Sequence, residues 1–202
     1  WDVRFKDLSP VMDVEAVARD IIGVTPHKSM KDIHLVITGG EPLLGWQRSY
    51  PELLTFLDHY GLQHVTFETN GTQELSEGMR SFIASYFDIP KSLTFAVSAK
   101  LPVSGEAWED AIKPEIVCMY ERFGDAFLKF VVQSADDVPD IRKAINVYRD
   151  AGFKGPVYLM GVGGTDIVHY QHNKEVAKIA LDNGWRYSAR LQVDLFKNAW
   201  GT

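Results

Sequence analysis

The amino-acid sequence repeats a strand pattern whose polar ends recur at a constant interval. Thr38, Glu68 and Ser98 each end a run of apolar and β-branched residues, and successive members of this set are 30 positions apart. Repeated strand–helix units produce such an interval, because they place the carboxyl ends of parallel strands at one rim of the sheet. We therefore expect the three side chains to share a site, although each alone would be interpreted as a solvated strand end.

The first of these strand patterns runs directly into Gly39-Gly40-Glu41-Pro42. Two glycines let a backbone approach a ligand without a Cβ in the way. Pro42 restricts Glu41 to extended conformations, which holds its carboxylate beside the open backbone. This arrangement suits a small cation such as the ammonium group of an amino acid. An ordinary strand-to-helix turn is the simpler interpretation, but these four residues rarely follow a hydrophobic strand for that purpose alone.

Strand and helix patterns alternate along the whole chain, without a low-complexity linker. Strands are predicted at 33–38, 65–68, 93–98, 127–132, 156–160 and 186–195, and helices at 14–22, 50–59, 74–87, 108–123 with a break at Pro114, 136–151 and 168–183. This alternation requires a parallel sheet with right-handed crossovers. A barrel and a flavodoxin-like open sheet both satisfy it, and periodicity alone does not separate them. The 202 residues are enough for one domain, spanning 1–202, with an ample core.

Three motifs at the predicted strand ends resemble one protein family. TGGEPLL at 38–44, ETNGT at 68–72 and SAK at 98–100 are similar to motifs of 7-carboxy-7-deazaguanine synthase, a radical S-adenosylmethionine (SAM) enzyme whose members commonly have Ser-Pro-Lys at the third motif. The apolar strand 128–132 and the segments 185–193 and 198–202 extend the likeness over the whole chain. The resemblance implies a partial (β/α)6 barrel. Five strand–helix units would then be visible, with the first strand and its cluster loop absent.

The resemblance also implies a chemistry. In the family, a reduced [4Fe–4S] cluster cleaves SAM to a 5′-deoxyadenosyl radical, which takes a hydrogen atom from 6-carboxy-5,6,7,8-tetrahydropterin. Ring contraction with loss of ammonia, a carbon–nitrogen lyase reaction, gives the deazapurine used in queuosine-type biosynthesis. Mg²⁺ at the substrate carboxylate, an electron donor such as flavodoxin or ferredoxin, and a homodimer as one possible assembly are further expectations. Since SAM and the cluster generate the radical, no single residue is expected to be catalytic by itself.

The family motifs assign roles to nine positions of this sequence. The residues expected to bind SAM are Gly39, Gly40 and Glu41 at its amino acid end, and Ser98 and Lys100 at its ribose or carboxylate. The residues expected to contact the substrate are Thr38 and Glu68 at the N–H donors of the pterin, and Arg190 and Gln192 from the last predicted strand. The last two placements depend most on the predicted strand. Many relatives have histidine near position 192, whereas glutamine cannot act as an acid.

The cysteine content departs from the family pattern. Radical SAM enzymes hold their cluster with three cysteines, usually spaced CxxxCxxC, because iron–sulfur clusters need thiolate ligands. This chain has one cysteine, Cys118, in a helical pattern, and a buried inert thiol is the better interpretation of it. Trp1-Asp2 resembles the residues that follow the third family cysteine. We therefore expect the cluster cysteines upstream of Trp1, the alternative being a natural paralogue that has lost the cluster.

Composition excludes several classes of partner. The net charge of −6 argues against sequence-independent binding to nucleic acid, which needs a basic face. No apolar run approaches the roughly 20 residues of a membrane-spanning helix. One cysteine allows no internal disulfide, and a cytoplasmic location is therefore expected.

Two further motifs and two alternative functions stay open. Gly161–Thr165 is rich in glycine but lacks the Lys-Ser/Thr of a phosphate-binding P-loop, so a turn near the adenosine of SAM, or a simple turn, is preferred. His169 and His172 have a spacing that can bind metal, although a solvated helix end is more common. Another radical SAM enzyme, such as an activase or a peptide-modifying enzyme, would share TGGEP but not all three motifs. A cluster-free module that binds a purine or a pterin is the alternative from a different class.

Overall fold

The computed structural model describes residues 11–88, 90–101, 104–163 and 166–197, without the side chains of 166–171. Its strands form one sheet in which every neighbouring pair is parallel. The strands, in chain order, are β1 (His34–Ile37), β2 (His64–Thr69), β3 (Ser92–Val97), β4 (Asp125–Val132), β5 (Val157–Gly161) and β6 (Arg186–Tyr187). The first five agree with the predicted strands to within two residues at each end.

The order of the strands decides between the two predicted architectures. The sheet runs β1-β2-β3-β4-β5-β6 in sequence order. A flavodoxin-like sheet reverses its strand order at a switch point, and this sheet has no reversal. With right-handed crossovers throughout, the connecting helices pack on one face of the sheet and leave the other as a concave interior. The partial barrel of the radical SAM type is confirmed.

Helices pack on the outer face of this sheet: the helix Pro114–Phe123 packs against β3 and β4, and the helix Asp166–Asp182 packs against β5 and β6. The helices are α1 (Val14–Val24), α2 (Tyr50–Asp58), α3 (Glu77–Tyr86), α4 (Trp108–Ala111), α5 (Pro114–Phe123), α6 (Val138–Asp150), α7 (Asp166–Asp182) and α8 (Leu191–Phe196). The predicted break at Pro114 is confirmed, because this proline starts α5, where its missing N–H costs nothing. Within the described residues, no helix is long and apolar enough to cross a membrane.

The last predicted strand is wrong beyond Tyr187. β6 pairs only with β5, through Arg186 and Tyr187, and Ser188 N–H donates to Leu159 O at 2.8 Å. Beyond that bond the backbone groups pair within a helical turn instead, as in the 2.8 Å bond from Val193 N–H to Arg190 O at the start of α8. The alternating apolar residues that suggested a strand do not share a buried face. Val193 is buried, whereas Leu191 and Leu195 are more than 60% exposed. β6 therefore adds a short strand to the five predicted strand–helix units.

The hydrophobic core lies between the sheet and its helices. Phe67 and Phe95 on neighbouring strands are fully buried, and their rings stack with centroids 6.0 Å apart. Phe95 also stacks on Tyr120 of α5 at 4.5 Å. Side chains alternate across a strand, so the residues that directly precede and follow Phe67 on β2 and Phe95 on β3 point to the inner face. Polar residues such as Glu68 and Lys129 therefore lie inside the partial barrel, where the core does not need apolar side chains.

Candidate functional site

A cavity of about 290 Å³ opens at the carboxyl ends of β1 to β5. It brings together seven of the residues predicted from the sequence, namely Thr38, Gly39, Gly40, Glu68, Ser98, Lys100 and Arg190. Five other residues complete the lining: Thr69, Asn70, Lys129, Val131 and Met160. Glu41 and Gln192 do not line it. The constant 30-residue interval is thus explained by parallel strands that end at one rim.

A second cavity of about 300 Å³ adjoins the first along the same rim. The two share Ser98, Lys100 and Val131, and the second continues toward Gln133 and Asp137 after β4. Together they form one elongated cleft over the ends of the strands.

The two glycines after β1 leave backbone open at the edge of the cleft. Gly39 has a φ of 144°, a conformation that residues with a side chain rarely adopt. A Cβ at Gly39 or at Gly40 would have no protein atom within 4 Å. Packing therefore does not require glycine at position 40, whereas close approach of a ligand to the backbone would. The residues present fit the amino acid end of SAM in this respect.

Glu41 uses its carboxylate to join two loops. Its Oε1 accepts hydrogen bonds from Thr69 Oγ1 at 2.8 Å and from Leu43 N–H at 3.1 Å. Its Oε2 accepts from Asn70 N–H at 2.7 Å. A carboxylate has about four acceptor sites, so protein donors occupy most of its capacity. The predicted contact between Glu41 and the amino group of SAM stays a prediction, and the observed partners are the loops after β1 and β2.

Further hydrogen bonds hold the same two loops in place. Gln47 donates to Leu43 O at 2.9 Å and to Glu74 O at 2.8 Å, and its Oε1 accepts from Ser76 N–H at 2.7 Å. Tyr50 OH donates to Pro42 O at 2.6 Å. Burial, followed by the negative charge of Glu41, raises the pKa of Tyr50 to about 12, so this hydroxyl remains a donor at neutral pH. These hydrogen bonds therefore join the loop after β1 to the loop after β2.

Glu68 forms an ion pair with Lys129 inside the cavity. The Lys129 ammonium lies 2.9 Å from Glu68 Oε1, and the two side chains are 13% and 40% exposed respectively. The sequence interpretation missed Lys129, which was treated as part of an apolar strand. A signal was present, since a single lysine within Leu-Lys-Phe-Val-Val stands at an inward position of the strand alternation. A long charged side chain at such a position needs a partner in the interior.

Four other predicted residues differ in where the structure places them and in which partners they have. Ser98 N–H donates to Thr69 O at 2.7 Å, which extends the pairing of β2 with β3 to the rim. Arg190, which precedes α8, donates to Gly163 O and so reaches the cavity from a loop and not from a strand. Lys100 is half-buried and has no ion-pair partner among the described residues. Gln192 is exposed on α8, so the strand on which its placement depended does not exist.

Several sequence predictions fall outside the described residues. Trp1-Asp2 and the segment 198–202 are among them, as are Gly164 and Thr165 of the glycine-rich loop. The side chain of His169 is also outside the described part, so the structure does not test whether His169 and His172 form a metal site or, as preferred from the sequence, a solvated helix end. Within that loop, Gly163 has a φ of 128°, and a Cβ at Gly161 would lie 2.8 Å from Asn173 Oδ1. The described part of this segment is therefore a tightly constrained turn after β5.

Comparison with curated proteins shows relatives over most of the chain. The chain is 30% identical over 178 residues to the 7-carboxy-7-deazaguanine synthase of Halobacterium salinarum, which covers 82% of the chain and 66% of that protein. The same enzymes of Pyrobaculum aerophilum and Rhodopirellula baltica are 29% and 28% identical, over 83% and 84% of the chain and 67% and 63% of their own lengths.

The chain is a homologue of the 7-carboxy-7-deazaguanine synthases. The resemblance drawn from the three motifs is thereby confirmed. The chain spans about two thirds of the length of these relatives. No family model matches the chain.

Solved structures place the fold among radical SAM enzymes. A Streptococcus suis SuiB structure bound to S-adenosylmethionine superposes with a TM-score of 0.56 at 12% identity, covering 93% of this chain and 46% of that one. The anSMEcpe structure with bound AdoMet and a peptide gives 0.52 at 14% identity, covering 93% and 58%. Likeness at this level of identity concerns the fold alone.

The cavity of this homologue carries more positive than negative charge. Its lining includes Lys100, Lys129 and Arg190, but only one carboxylate, that of Glu68. The chain as a whole has a net charge of −6, so the positive balance is local to the cleft. Cations grouped in a concave site attract anionic ligands and bind their acid groups. SAM and a carboxylated pterin each carry a carboxylate of this kind.

The chain does not supply the ligands of an iron–sulfur cluster. Its one cysteine, Cys118, is half-buried on α5 and donates to Ala151 O at 3.4 Å. Burial is the main cause that raises the pKa of its thiol, which disfavours the thiolate that a metal needs. Among the described residues, no group of three or more histidine, cysteine or acidic side chains could hold a metal ion. These residues therefore do not fit a [4Fe–4S] cluster.

Proposed function

We propose that the whole protein is a radical SAM enzyme that forms 7-carboxy-7-deazaguanine from 6-carboxy-5,6,7,8-tetrahydropterin. The observation that carries the proposal is the convergence of the TGGEP, ETNGT and SAK segments on one cavity, in a homologue of the enzymes with that name. The reaction would be a carbon–nitrogen lyase reaction of deazapurine biosynthesis. An external electron donor such as flavodoxin or ferredoxin belongs to the same proposal, as does a single domain built around this sheet.

In the proposal, residues at the rim orient SAM. The open backbone at Gly39 and Gly40 lies against its amino acid end, and the loop that carries them is held by Glu41. Lys100 has its ammonium available for the carboxylate, and Ser98 offers a hydroxyl to the ribose. When bound, SAM and a reduced cluster supply hydrogen-atom abstraction, and the protein contributes binding and orientation. The ligands of the cluster would belong to parts of the whole protein outside these 202 residues.

The substrate would occupy the part of the cavity that is lined by Glu68. A pterin presents an amino group and ring N–H donors along one edge, and an ionised carboxylate accepts from such donors. Thr38 stands beside Glu68 at the neighbouring strand end, where its hydroxyl can accept or donate. Mg²⁺ at the acid group of the substrate is part of the proposal, with oxygen ligands from substrate and water.

A cluster-free module that binds a pterin is the second candidate, favoured by the single cysteine of the chain. It uses the same cavity and the same carboxylate but performs no reaction. A peptide-modifying enzyme has less support, because its likeness to this chain concerns the fold alone. The deazapurine-forming enzyme and the pterin-binding module differ in whether the whole protein binds a cluster and catalyses a reaction.

Anaerobic turnover of the whole protein tests the proposal. After reconstitution with iron and sulfide, the protein should convert the carboxylated tetrahydropterin to 7-carboxy-7-deazaguanine in the presence of SAM and a reductant. Mass spectrometry of the product and chromatography of 5′-deoxyadenosine are the two readouts. Glu68→Gln should reduce product formation sharply and leave SAM binding intact, because an amide N–H would face the donors of the pterin.

Two results would contradict the enzymatic proposal. Cluster absorbance and cleavage of SAM without the deazapurine would indicate a different radical SAM substrate. Pterin binding by calorimetry without cluster absorbance or turnover would favour the binding module. The 202-residue chain alone is the control, since its one cysteine should leave it without cluster absorbance after reconstitution.

A further inference from the structure

Lys129 is a cation of the cavity whose place is set by the strand alternation. β4 buries Leu128 and Phe130 on the helix side, so Lys129 between them points into the partial barrel. Its side chain is mostly buried, and its observed partner is Glu68. Arg190 also lines the cavity, but its guanidinium donates to Gly163 O. Lys100 lies at the rim, shared between the two cavities.

The ion pair spans an intervening strand. Glu68 on β2 is in register with Ala96 on β3, and Ala96 is in register with Phe127, two residues before Lys129. Neighbouring strands lie about 4.8 Å apart, so the two backbones that carry the charges are separated by roughly 10 Å. The small side chain of Ala96 at the inward position leaves room for two long side chains to meet above it. The two charges therefore meet only because both side chains extend toward each other.

This ion pair is suited to changing partners. Glu68 is substantially exposed, and pairs with one exposed member contribute little to stability. The separation of the two backbones is comparable to the length of a bicyclic ring system. A ligand between them could offer N–H donors to Glu68 and an acid group to Lys129, so that each charge exchanges one partner for another.

We propose that Lys129 is a specificity residue that recognises the acid group of the substrate. Its ammonium pairs with Glu68 in the structure and would transfer to the carboxylate of a bound ligand, which releases Glu68 for the N–H edge. This inference rests on the proposed function, because it takes a carboxylated pterin as the ligand. It predicts that the protein distinguishes pterins by their acid group through one side chain.

Binding of two fluorescent probes tests the proposal without turnover. The whole protein is titrated with 6-carboxypterin and with unsubstituted pterin, in the absence of SAM and of Mg²⁺, so that no metal ion binds the acid group of the probe. The wild-type protein should prefer the carboxylated probe by about tenfold or more, the usual worth of a charge-assisted hydrogen bond. Lys129→Met should reduce the preference to roughly unity and change the affinity for pterin by less than about threefold, whereas Lys129→Arg should retain the preference because the charge remains.

Two further variants separate this inference from folding effects and from the proposed function. Lys129→Gln is neutral and polar, so it should also lose the preference, and its thermal midpoint should stay near that of the wild-type protein because the amide tolerates a partly solvated cavity. Glu68→Gln should weaken both probes alike and keep the preference. A preference that survives in Lys129→Met and Lys129→Gln, or its absence from the wild-type protein, would overturn the role of Lys129 and leave the turnover assay unaffected. A wild-type protein that binds neither probe would overturn the role of Lys129, whereas failure of the turnover assay would overturn the proposed function.

Discussion

Glu41 and Glu68 end neighbouring parts of one rim, yet the structure uses the two carboxylates in opposite ways. Glu41 accepts hydrogen bonds from Thr69, Leu43 and Asn70, and these bonds join the loops after β1 and β2. Glu68 pairs with Lys129, its one ion-pair partner among the described residues, and its side chain is 40% exposed. The comparison shows that a carboxylate in a binding motif can hold the loops around a cavity in place and need not itself contact a ligand.

The difference follows from the backbone around each residue. Glu41 lies in a loop beyond the end of β1, where the N–H groups of other loop residues have no strand partner and turn toward its carboxylate. Glu68 lies within β2, whose backbone pairs in the sheet, so only side chains can reach it. Loop position therefore favours a fixed carboxylate, and an inward strand position favours one that can exchange partners.

The largest effect is expected at Gly71, in the loop after β2 that donates a hydrogen bond to Glu41. Gly71 has a φ of 80°, and a Cβ there would lie 2.6 Å from Val97 Cγ1. Gly71→Ala should lower the free energy of unfolding by roughly 2–4 kcal/mol, because strain in the left-handed region adds to overpacking. Urea-induced unfolding measures this loss.

Gly40→Ala is the matched control on the open side of the rim. Gly40 has no left-handed φ, and an added Cβ would have no neighbour within 4 Å. Its free energy of unfolding should stay within about 0.5 kcal/mol of the wild-type value. If both variants are equally stable, the close contact of Gly71 with Val97 does not constrain the loop after β2.

A smaller effect is expected when the two carboxylates are changed to amides. Glu41→Gln should lower the free energy of unfolding by about 1–3 kcal/mol, because an amide N–H would face the N–H of Asn70 or the other donors. Glu68→Gln keeps an amide oxygen that can accept from Lys129 and loses the charge of a partly exposed residue, so it should cost less than about 1 kcal/mol. Equal losses in the same unfolding assay would remove the distinction between a supporting and an exchangeable carboxylate.

The smallest effect is expected at the opposite end of the inner face, where His34 Nε2 lies 2.8 Å from Thr66 Oγ1. Burial, followed by the nearby His64, lowers the pKa of His34 below its ordinary value of 6.5. The unfolded chain then takes up this proton first, so stability is present above about pH 6.5 and declines as the pH falls through that value. His34→Gln should flatten the decline between pH 7 and pH 5, measured by thermal unfolding, and an unchanged slope would assign it to other groups.

Local sequence patterns predicted most of the elements and most of the cavity. Strand alternation located β1 to β5, and polar residues at their ends identified seven of the residues that line the cavity. The prediction failed at Gln192, because apolar alternation in a short amphipathic helix resembles a strand when only one of its residues is buried. It missed Lys129 because the partner that explains this lysine lies 61 positions away.

The sequence by itself determined the repeated strand–helix unit, the glycines that open the rim and the polar positions on the inner face. These depend on periodicity and on φ preferences, which act over a few residues. Only the tertiary structure decided the partners. It brought the donors of Thr69 and Asn70 to Glu41 across 28 and 29 positions, and it placed Lys129 over Ala96 against Glu68. Register between strands sets those contacts, and register depends on the packing of the whole sheet.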